Sequence, residues 1–159
     1  MIWSDAGLLL SVACFVENFM RNLIAALLTL LILDCALAAD RTPSPKGAEV
    51  YIISPKDGAV VTSPVTVRFG LKGMGIAPAG VAFENTGHHH LLVDVDPPAD
   101  LGQPLPNDAH SMHFGKGQTE TDLKLTPGKH TLQLVLGDQL HIPHDPPVMS
   151  KKITITVKE

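Results

Sequence analysis

Residues 65–71 read Val-Thr-Val-Arg-Phe-Gly-Leu, a run in which apolar and polar side chains alternate. Such alternation places every second side chain on the same face of a β-strand. The same period recurs in five further runs, which begin near residues 50, 91, 123, 130 and 153. Turns rich in Pro and Gly separate the runs, and no stretch keeps a helical period beyond two turns. The sequence therefore predicts an all-β fold, an immunoglobulin-like antiparallel β-sandwich of about seven strands.

The N-terminal region has the composition of an export signal. A basic residue, Arg21, precedes an apolar run from Leu23 to Leu33, and small residues follow at Ala36 and Ala38. This order is typical of a secretory signal peptide that is cleaved after Ala38. The apolar run is shorter than the roughly 20 residues that cross a bilayer, so we expect no stable membrane span in the mature form.

The position of this signal divides the chain. Signal peptides begin at the initiator methionine, so we interpret residues 1–19 as a mis-assigned gene start and residues 20–38 as the signal peptide. A single long signal with two apolar blocks is the alternative. Residues 39–48 are then a flexible, proline-bearing leader, and residues 49–159 form the β-sandwich domain. These assignments predict a periplasmic or secreted protein.

Charge and cysteine content exclude several classes of partner. The chain carries 16 acidic against 12 basic residues, a formal net charge of −4. Phosphate contacts need a basic surface, so we expect no nucleic-acid partner. Both cysteines, Cys14 and Cys35, precede the predicted cleavage site. The mature domain is therefore expected to form no disulfide and to offer a metal no thiolate ligand.

All eight histidines lie between positions 88 and 144, and six of them form close pairs. On the strand whose core face carries Leu91, histidines at i and i+2 share the other face, with Cα atoms about 6.5–7 Å apart. The two remaining pairs have His-x-x-His spacing, which suits chelation from a loop. Imidazole is a common ligand of zinc and copper, so the predicted cofactor is a Cu or Zn ion. The predicted ligands are drawn from His88, His90, His110, His113, His141 and His144.

Other interpretations of these side chains remain open. Polar residues at a strand end, or histidines that order the proline-rich loop after residue 140, would need no metal. His130 has core parity, which predicts a buried histidine with a hydrogen-bond partner and no ligand role. Met112 adds a thioether that would favour Cu(I), and Asp94 and Asp138 are candidate hydrogen-bond partners for a ligating imidazole.

Catalytic chemistry is poorly supported. Ser111 lies between two histidines, but no Gly-x-Ser-x-Gly elbow surrounds it. An enzyme with an open metal position would need a general base, and none is identifiable. The absence of carboxylate clusters also disfavours calcium. We therefore predict that the protein is not an enzyme.

Several motifs together carry a family resemblance. They are Ser-Pro-x-Asp-Gly at 54–58 with Val-x-Val-x-Phe-Gly at 65–70, Gly-His-His-His-Leu-Leu-Val-Asp at 87–94, and Leu-x-Pro-Gly-Lys-His-Thr-Leu-Gln-Leu at 125–134 running into His-x-Pro-His-x-Pro-Pro-Val at 141–148. With these motifs the chain resembles a bacterial family known as domain of unknown function 4399. The resemblance implies a secreted single-domain protein and no established activity. A thinner likeness, of architecture alone, exists to copper-handling periplasmic sandwiches of the CopC and YtkA kind.

Two functions from different classes follow. The first is a periplasmic, histidine-rich protein that binds Cu or Zn for uptake, buffering or delivery. The alternative is a non-catalytic interaction module of the cell envelope, with an envelope protein as partner and histidines that are structural or tune binding with pH.

Overall fold

The computed structural model describes Met20 and residues 41–159. The predicted signal peptide and the predicted mis-assigned start lie, apart from Met20, outside the described residues. Within the described part of the chain, no helix is both long enough and apolar enough to cross a membrane.

The described residues form nine strands, of which three are only two or three residues long. The strands are β1 (Glu49–Ser54), β2 (Val60–Thr62), β3 (Val65–Lys72), β4 (Gly75–Ile76), β5 (Thr86–Val93), β6 (Ser111–His113), β7 (Glu120–Leu123), β8 (Gly128–Gly137) and β9 (Ile153–Lys158). Each of the six alternating runs of the sequence contributes one strand. The sequence did not predict the short strands β2, β4 and β6, because two or three residues are too few to show a period.

Two sheets make up the sandwich. The smaller has the order β1-β3-β7, and the larger has the order β2-β9-β8-β5-β4, with β6 paired to β5 beyond that path. The long pairings are antiparallel, whereas the short β2–β9 and β4–β5 pairings are parallel. The predicted immunoglobulin-like, all-β sandwich is confirmed, with these two parallel contacts as an addition.

The main core lies between the two sheets. Val67 and Phe69 of the small sheet pack with Leu91, Leu134 and Ile155 of the large sheet, and all five are at most 3% exposed. Their parity follows the period-two pattern, because alternate side chains of a strand face the same layer. Fully burying one such aliphatic side chain contributes about 1.5–3 kcal/mol.

Strand β5 departs from the expected pattern of one apolar and one polar face. Its residues from Gly87 to Val93 are all buried, so the face that points away from the core is covered as well. Leu92, Leu105 and Val135 form a second apolar cluster on this outer face. The loops that follow β5 and β8 supply the cover, through residues such as Leu105 and Met149.

The leader predicted for residues 39–48 is tied down over its described part. The Arg41 side chain donates to the carbonyl oxygens of Pro143 and His144. The main chains of Ser44 and Asp145 are also hydrogen-bonded, at 3.0 Å. The described part of the predicted leader, residues 41–48, thus contacts the loop after β8, and we refer to it as the strap.

Candidate metal centre

Four imidazoles meet on the outer face of the large sheet. They belong to His88 and His90 of β5, His113 at the end of β6, and His141 in the loop after β8. One ring nitrogen of each residue lies within 4.8 Å of the corresponding nitrogen of every other. His88 and His90 are fully buried, whereas His113 and His141 are partly exposed. We refer to these four residues as the four-histidine cluster.

Strand pairing determines the position of three members. His88 and His90 are two residues apart on β5, so their side chains share one face of the sheet. His90 is directly opposite His113 in the antiparallel β5–β6 pair. Directly opposed side chains in such a pair have Cβ atoms about 4.5–5.5 Å apart, which brings the third ring beside the first two.

Asp138 positions the fourth member through the main chain. Its Oδ1 accepts hydrogen bonds from the backbone N–H groups of Leu140 and Ile142, at 2.8 and 3.0 Å. Its carbonyl oxygen accepts from the N–H of His141, at 2.9 Å. Oδ2 accepts from the hydroxyl of Thr42 at 2.6 Å, which joins the leader to this loop.

The backbone of His141 itself is unusual. Its φ is +67°, a left-handed conformation that costs a side-chain-bearing residue about 1–2 kcal/mol. Such strain persists only where the surroundings over-determine it, and it concentrates at functional sites. Here the hydrogen bonds to Asp138 hold the turn and direct the imidazole to the cluster.

Two glycines make room for the rings. A Cβ atom at Gly137 would lie 3.1 Å from Nε2 of His90 and 3.3 Å from Cα of His141. A Cβ atom at Gly115 would overlap the ring of His113. The approach of the four rings therefore depends on small residues at both positions.

Hydrogen bonding between the rings is incomplete. Nε2 of His88 lies 3.1 Å from Nδ1 of His141 and 3.1 Å from Nε2 of His90. A neutral imidazole nitrogen is either a donor of one proton or an acceptor with one lone pair, so a single nitrogen satisfies one of these contacts well. The Nδ1 atoms of His88 and His90 and the Nε2 atom of His113 are buried without a hydrogen-bond partner among the described residues.

His88, His90 and His113 favour the uncharged form of the imidazole. Burial, followed by the neighbouring His113 and His141, lowers the pKa of His88 to about 4, against a smaller opposing effect of Asp138. Burial, followed by the other rings, lowers the pKa of His90 to about 3. Burial, followed by the neighbouring His141, lowers the pKa of His113. At neutral pH these side chains therefore present lone pairs, the form that binds a metal.

Two of the six predicted ligands lie elsewhere. Nδ1 of His110 is 3.0 Å from the carbonyl oxygen of Val93, at the other end of β5. His144 is fully buried, and its ring nitrogens face the carbonyl oxygens of Leu136 and Thr86 at 3.4 and 3.2 Å. The structure thus groups His88, His90, His113 and His141 and leaves His110 and His144 outside the cluster.

The other residues considered from the sequence have different surroundings. His130 is buried as predicted, with Nδ1 2.7 Å from Oδ2 of Asp94 and Nε2 2.8 Å from the carbonyl oxygen of Thr126. Asp94 therefore partners His130 and not a member of the cluster. Met112 packs against the main core, on the face opposite His113, so its thioether is not available to the cluster.

His89 points into the main core, as its parity predicts. Its ring lies 5.1 Å from that of Phe69, between centroids. Burial lowers the pKa of His89 to about 4. The nearby backbone of Gln118 acts in the opposite direction, although it does not make a hydrogen bond of normal geometry with the ring. The triple-histidine motif thus divides by parity, with two rings in the cluster and one in the core.

Sequence reasoning missed the groups that shape the site. Gly115 and Gly137 carry no chemistry of their own, and their importance depends on which ring lies opposite. The role of Asp138 in folding the loop is likewise invisible from spacing. One sequence pattern would have helped, because alternation along residues 111–113 places Met112 and His113 on opposite faces of a strand.

Comparisons with known proteins add a family but no activity. The structure is similar to a chain described as "Structures of Clostridium thermocellum CbhA fibronectin(III)-like modules", with 13% identity, a TM-score of 0.34, and coverage of 68% of this chain and 92% of that chain. No curated protein matches the sequence. The family profile described as "Domain of unknown function (DUF4399)" matches residues 67–158. These residues include the whole cluster and more than half of the sequence, and the chain belongs to this family.

Proposed function

We propose that the protein binds a Cu or Zn ion at the four-histidine cluster and acts in metal handling outside the cytoplasm. The observation that carries the proposal is the convergence of four imidazole nitrogens within 4.8 Å of one another. Imidazole suits copper and zinc, whereas calcium and magnesium prefer oxygen ligands.

Electrostatics supports a cation at this position. Lone pairs that face one another repel, and the two short contacts of His88 Nε2 leave at least one pair of nitrogens without a shared proton. Buried polar atoms without partners are costly, at about 1–3 kcal/mol each. A metal ion relieves the repulsion between the facing nitrogens, because each ring can direct one lone pair to the ion, although the Nδ1 atoms of His88 and His90 stay without a partner in the described part of the chain.

The carboxylate of Asp138 lies near the cluster and stabilises the loop that carries His141. Both oxygens of Asp138 already accept hydrogen bonds, from Thr42 and from the loop backbone. Asp138 therefore acts as a nearby negative charge that offsets part of the charge of a bound cation. Its backbone contacts also keep His141 in place for the ion.

Four protein ligands are typical of a closed site. Catalytic zinc sites usually have three protein ligands and keep the fourth position for water or substrate. A cluster of four imidazoles favours a bound ion that is carried or stored, and we propose uptake, buffering or delivery in preference to catalysis. The signal-like sequence of residues 20–38 supports a periplasmic or secreted location.

A metal titration tests the proposal. The untagged protein is stripped with chelator and titrated with Zn²⁺ and Cu²⁺ against a competing indicator at pH 7.5. We expect one ion per chain with a Kd tighter than about 1 μM, and clear weakening in His113→Ala and in His141→Ala. These two rings are partly exposed, so their replacement is compatible with folding.

His110→Ala is the matched control, because His110 lies outside the cluster and its loss should leave the affinity unchanged. Binding no tighter than that of a loose histidine-rich peptide would refute metal handling. It would direct attention to the alternative, an interaction module of the cell envelope.

A further inference from the structure

We infer that the four-histidine cluster is a tetrahedral site that is shaped for Zn²⁺ and resists the tetragonal geometry of Cu²⁺. The inference rests on the proposed function and specifies the ion. It follows from the arrangement of the rings and from the rigidity of the strands that carry them.

The ring centroids form a tetrahedron. The six distances between them are 4.9, 4.9, 5.0, 5.1, 5.8 and 4.6 Å. Four points that are nearly equidistant from one another lie at the corners of a tetrahedron. In a square, two of the six distances would exceed the other four by about 40%.

The size of this tetrahedron fits a metal ion. With a metal–nitrogen distance of about 2.0–2.1 Å, tetrahedral imidazoles have centroids about 5.2 Å apart. A square-planar set of the same bond length would have four distances of about 4.5 Å and two of about 6.4 Å. The observed range, 4.6–5.8 Å, contains the tetrahedral value and excludes the long diagonal of the square.

The two pairs of rings that would form the diagonals of a square also exclude a planar arrangement. In a square, the two long distances share no ring. The longest distance here joins His90 to His141, at 5.8 Å, while the complementary pair, His88 and His113, is only 4.9 Å apart. Flattening the site would therefore require both pairs to separate, the second by about 1.5 Å.

The protein opposes such a movement. Strand β5, which carries His88 and His90, is hydrogen-bonded to β8 on one side and to β6 on the other. Both residues are fully buried, and His90 has its Nε2 against Gly137. Close-packed side chains do not yield continuously, so the geometry of the rings limits the geometry of the ion.

The donor atoms distinguish the ions that accept a tetrahedral site. Thiolate and thioether ligands favour Cu(I), whereas imidazole suits both Zn²⁺ and Cu²⁺, which differ in their preferred geometry. Met112 packs into the main core, and all four ligating groups of the cluster are imidazoles. Cu²⁺ generally binds a given set of ligands more tightly than Zn²⁺, so the expected signature of this site is an unusually small preference for Cu²⁺.

Cobalt substitution tests the geometry. The untagged protein is stripped of metal and loaded with one equivalent of Co²⁺. We expect the intense visible absorption of tetrahedral Co²⁺, which one equivalent of Zn²⁺ abolishes. With Cu²⁺, the electron paramagnetic resonance spectrum should show the reduced parallel hyperfine splitting of a copper centre distorted towards a tetrahedron.

Two variants connect these signals to the cluster. His113→Ala should shift the Co²⁺ bands and weaken Zn²⁺ binding about tenfold or more, whereas His110→Ala should change neither. A pale Co²⁺ spectrum at one-to-one binding, or an ordinary tetragonal Cu²⁺ spectrum, would overturn the geometric inference and leave metal binding intact. Absence of binding for all three ions would overturn both proposals.

Discussion

Two histidine sites on the same large sheet have opposite surroundings. His130 on β8 faces the carboxylate of Asp94, which forms its shortest contact and raises the pKa of the imidazole. His88 and His90 on β5 face other imidazoles, and their pKa values fall to about 4 and 3. An imidazole beside a carboxylate has a charge-assisted hydrogen-bond partner within the protein. The imidazoles of the cluster face one another without such a carboxylate, and in our proposal a bound cation takes its place.

The largest effect that we expect from this comparison is an increase in the free energy of unfolding when a metal ion binds. Zn²⁺ at a free concentration 100 times its Kd should raise the free energy of unfolding by about 2.7 kcal/mol. Urea denaturation with and without Zn²⁺ measures the increment. His130→Ala should be less stable than the wild type and still gain the full increment, because His130 is outside the cluster.

The same measurement on His113→Ala provides the contrast. This variant should gain much less from Zn²⁺ at the same concentration, since it lacks one ligand. An equal gain in His113→Ala and in the wild type would show that Zn²⁺ stabilises the fold at another place, and the distinction between the two histidine sites would fail.

A second test separates the cluster from its support. In Asp138→Ala, the N–H groups of Leu140 and Ile142 and the hydroxyl of Thr42 lose their acceptor. We expect a stability loss of about 2 kcal/mol and a fall in Zn²⁺ affinity of about tenfold or more, because His141 is no longer held in its left-handed conformation. Calorimetry and the indicator titration measure the two effects.

Asp145→Ala is the matched control for Asp138→Ala. Asp145 is an acidic residue of the same loop, and its side chain, which is 64% exposed, forms a surface ion pair with Arg41. Its replacement should have little effect on affinity. If both variants bound Zn²⁺ equally weakly, the general negative charge of the loop would be the cause, and not the hydrogen bonds of Asp138.

A third test concerns pH and the carboxylate-paired site. The raised pKa of His130 gives a contribution that is complete below about pH 6.5 and is lost as the pH rises through the pKa of the folded state. Burial opposes ionisation of Asp94, but hydrogen bonds from His130 and from the N–H of Thr131 outweigh it and lower that pKa below 3.8. The Asp94 contribution is therefore lost only at strongly acidic pH, and the pair is most stabilising between about pH 4 and 6.5.

Asp94→Asn isolates this contribution. Asp94 has a φ of +60°, a conformation that asparagine also tolerates, so the backbone is preserved. We expect a loss of about 1–2 kcal/mol near pH 5.5 that shrinks as the pH rises above the pKa of His130, together with a lower His130 pKa by NMR. A pH-independent loss would mean that the hydrogen bond does not depend on the charge of the ring.

The sequence predicts the sandwich because alternation repeats over long strands. β3, β8 and β9 each show a clear period, and their inward residues form the main core. The covered outer face of β5 is not predictable in this way. It depends on the loops that follow β5 and β8, whose paths are determined by contacts between residues far apart in sequence, such as Leu105 with His141.

For the site, the same reasoning identified the four residues of the cluster among six candidates. Parity correctly paired His88 with His90 and directed His89 to the core. It could not distinguish His141 from His144, since a His-x-x-His loop has no fixed parity. The distinction arises from Asp138, which turns His141 towards the sheet, and from the carbonyl oxygens that surround His144.

The smallest effect that we expect is a change in Zn²⁺ affinity when the leader is altered. This change tests whether the two histidine sites differ in their dependence on distant residues. Arg41 holds the loop after β8 by donating to the carbonyl oxygens of Pro143 and His144, whereas the pair of His130 and Asp94 joins the end of β5 to the adjacent strand β8. Arg41→Ala should therefore weaken Zn²⁺ binding by a few-fold, about 1 kcal/mol, since the loop that carries His141 loses one anchor.

The same variant should leave the NMR titration of His130 unchanged. Lys46→Ala is the control, because Lys46 is a cation of the same segment with an exposed side chain and should affect neither site. An Arg41→Ala protein with wild-type Zn²⁺ affinity would show that β5, β6 and Asp138 hold the cluster without the leader. In that case the strap would contribute to the stability of the loop alone, and residues 41–46 would have no part in metal binding.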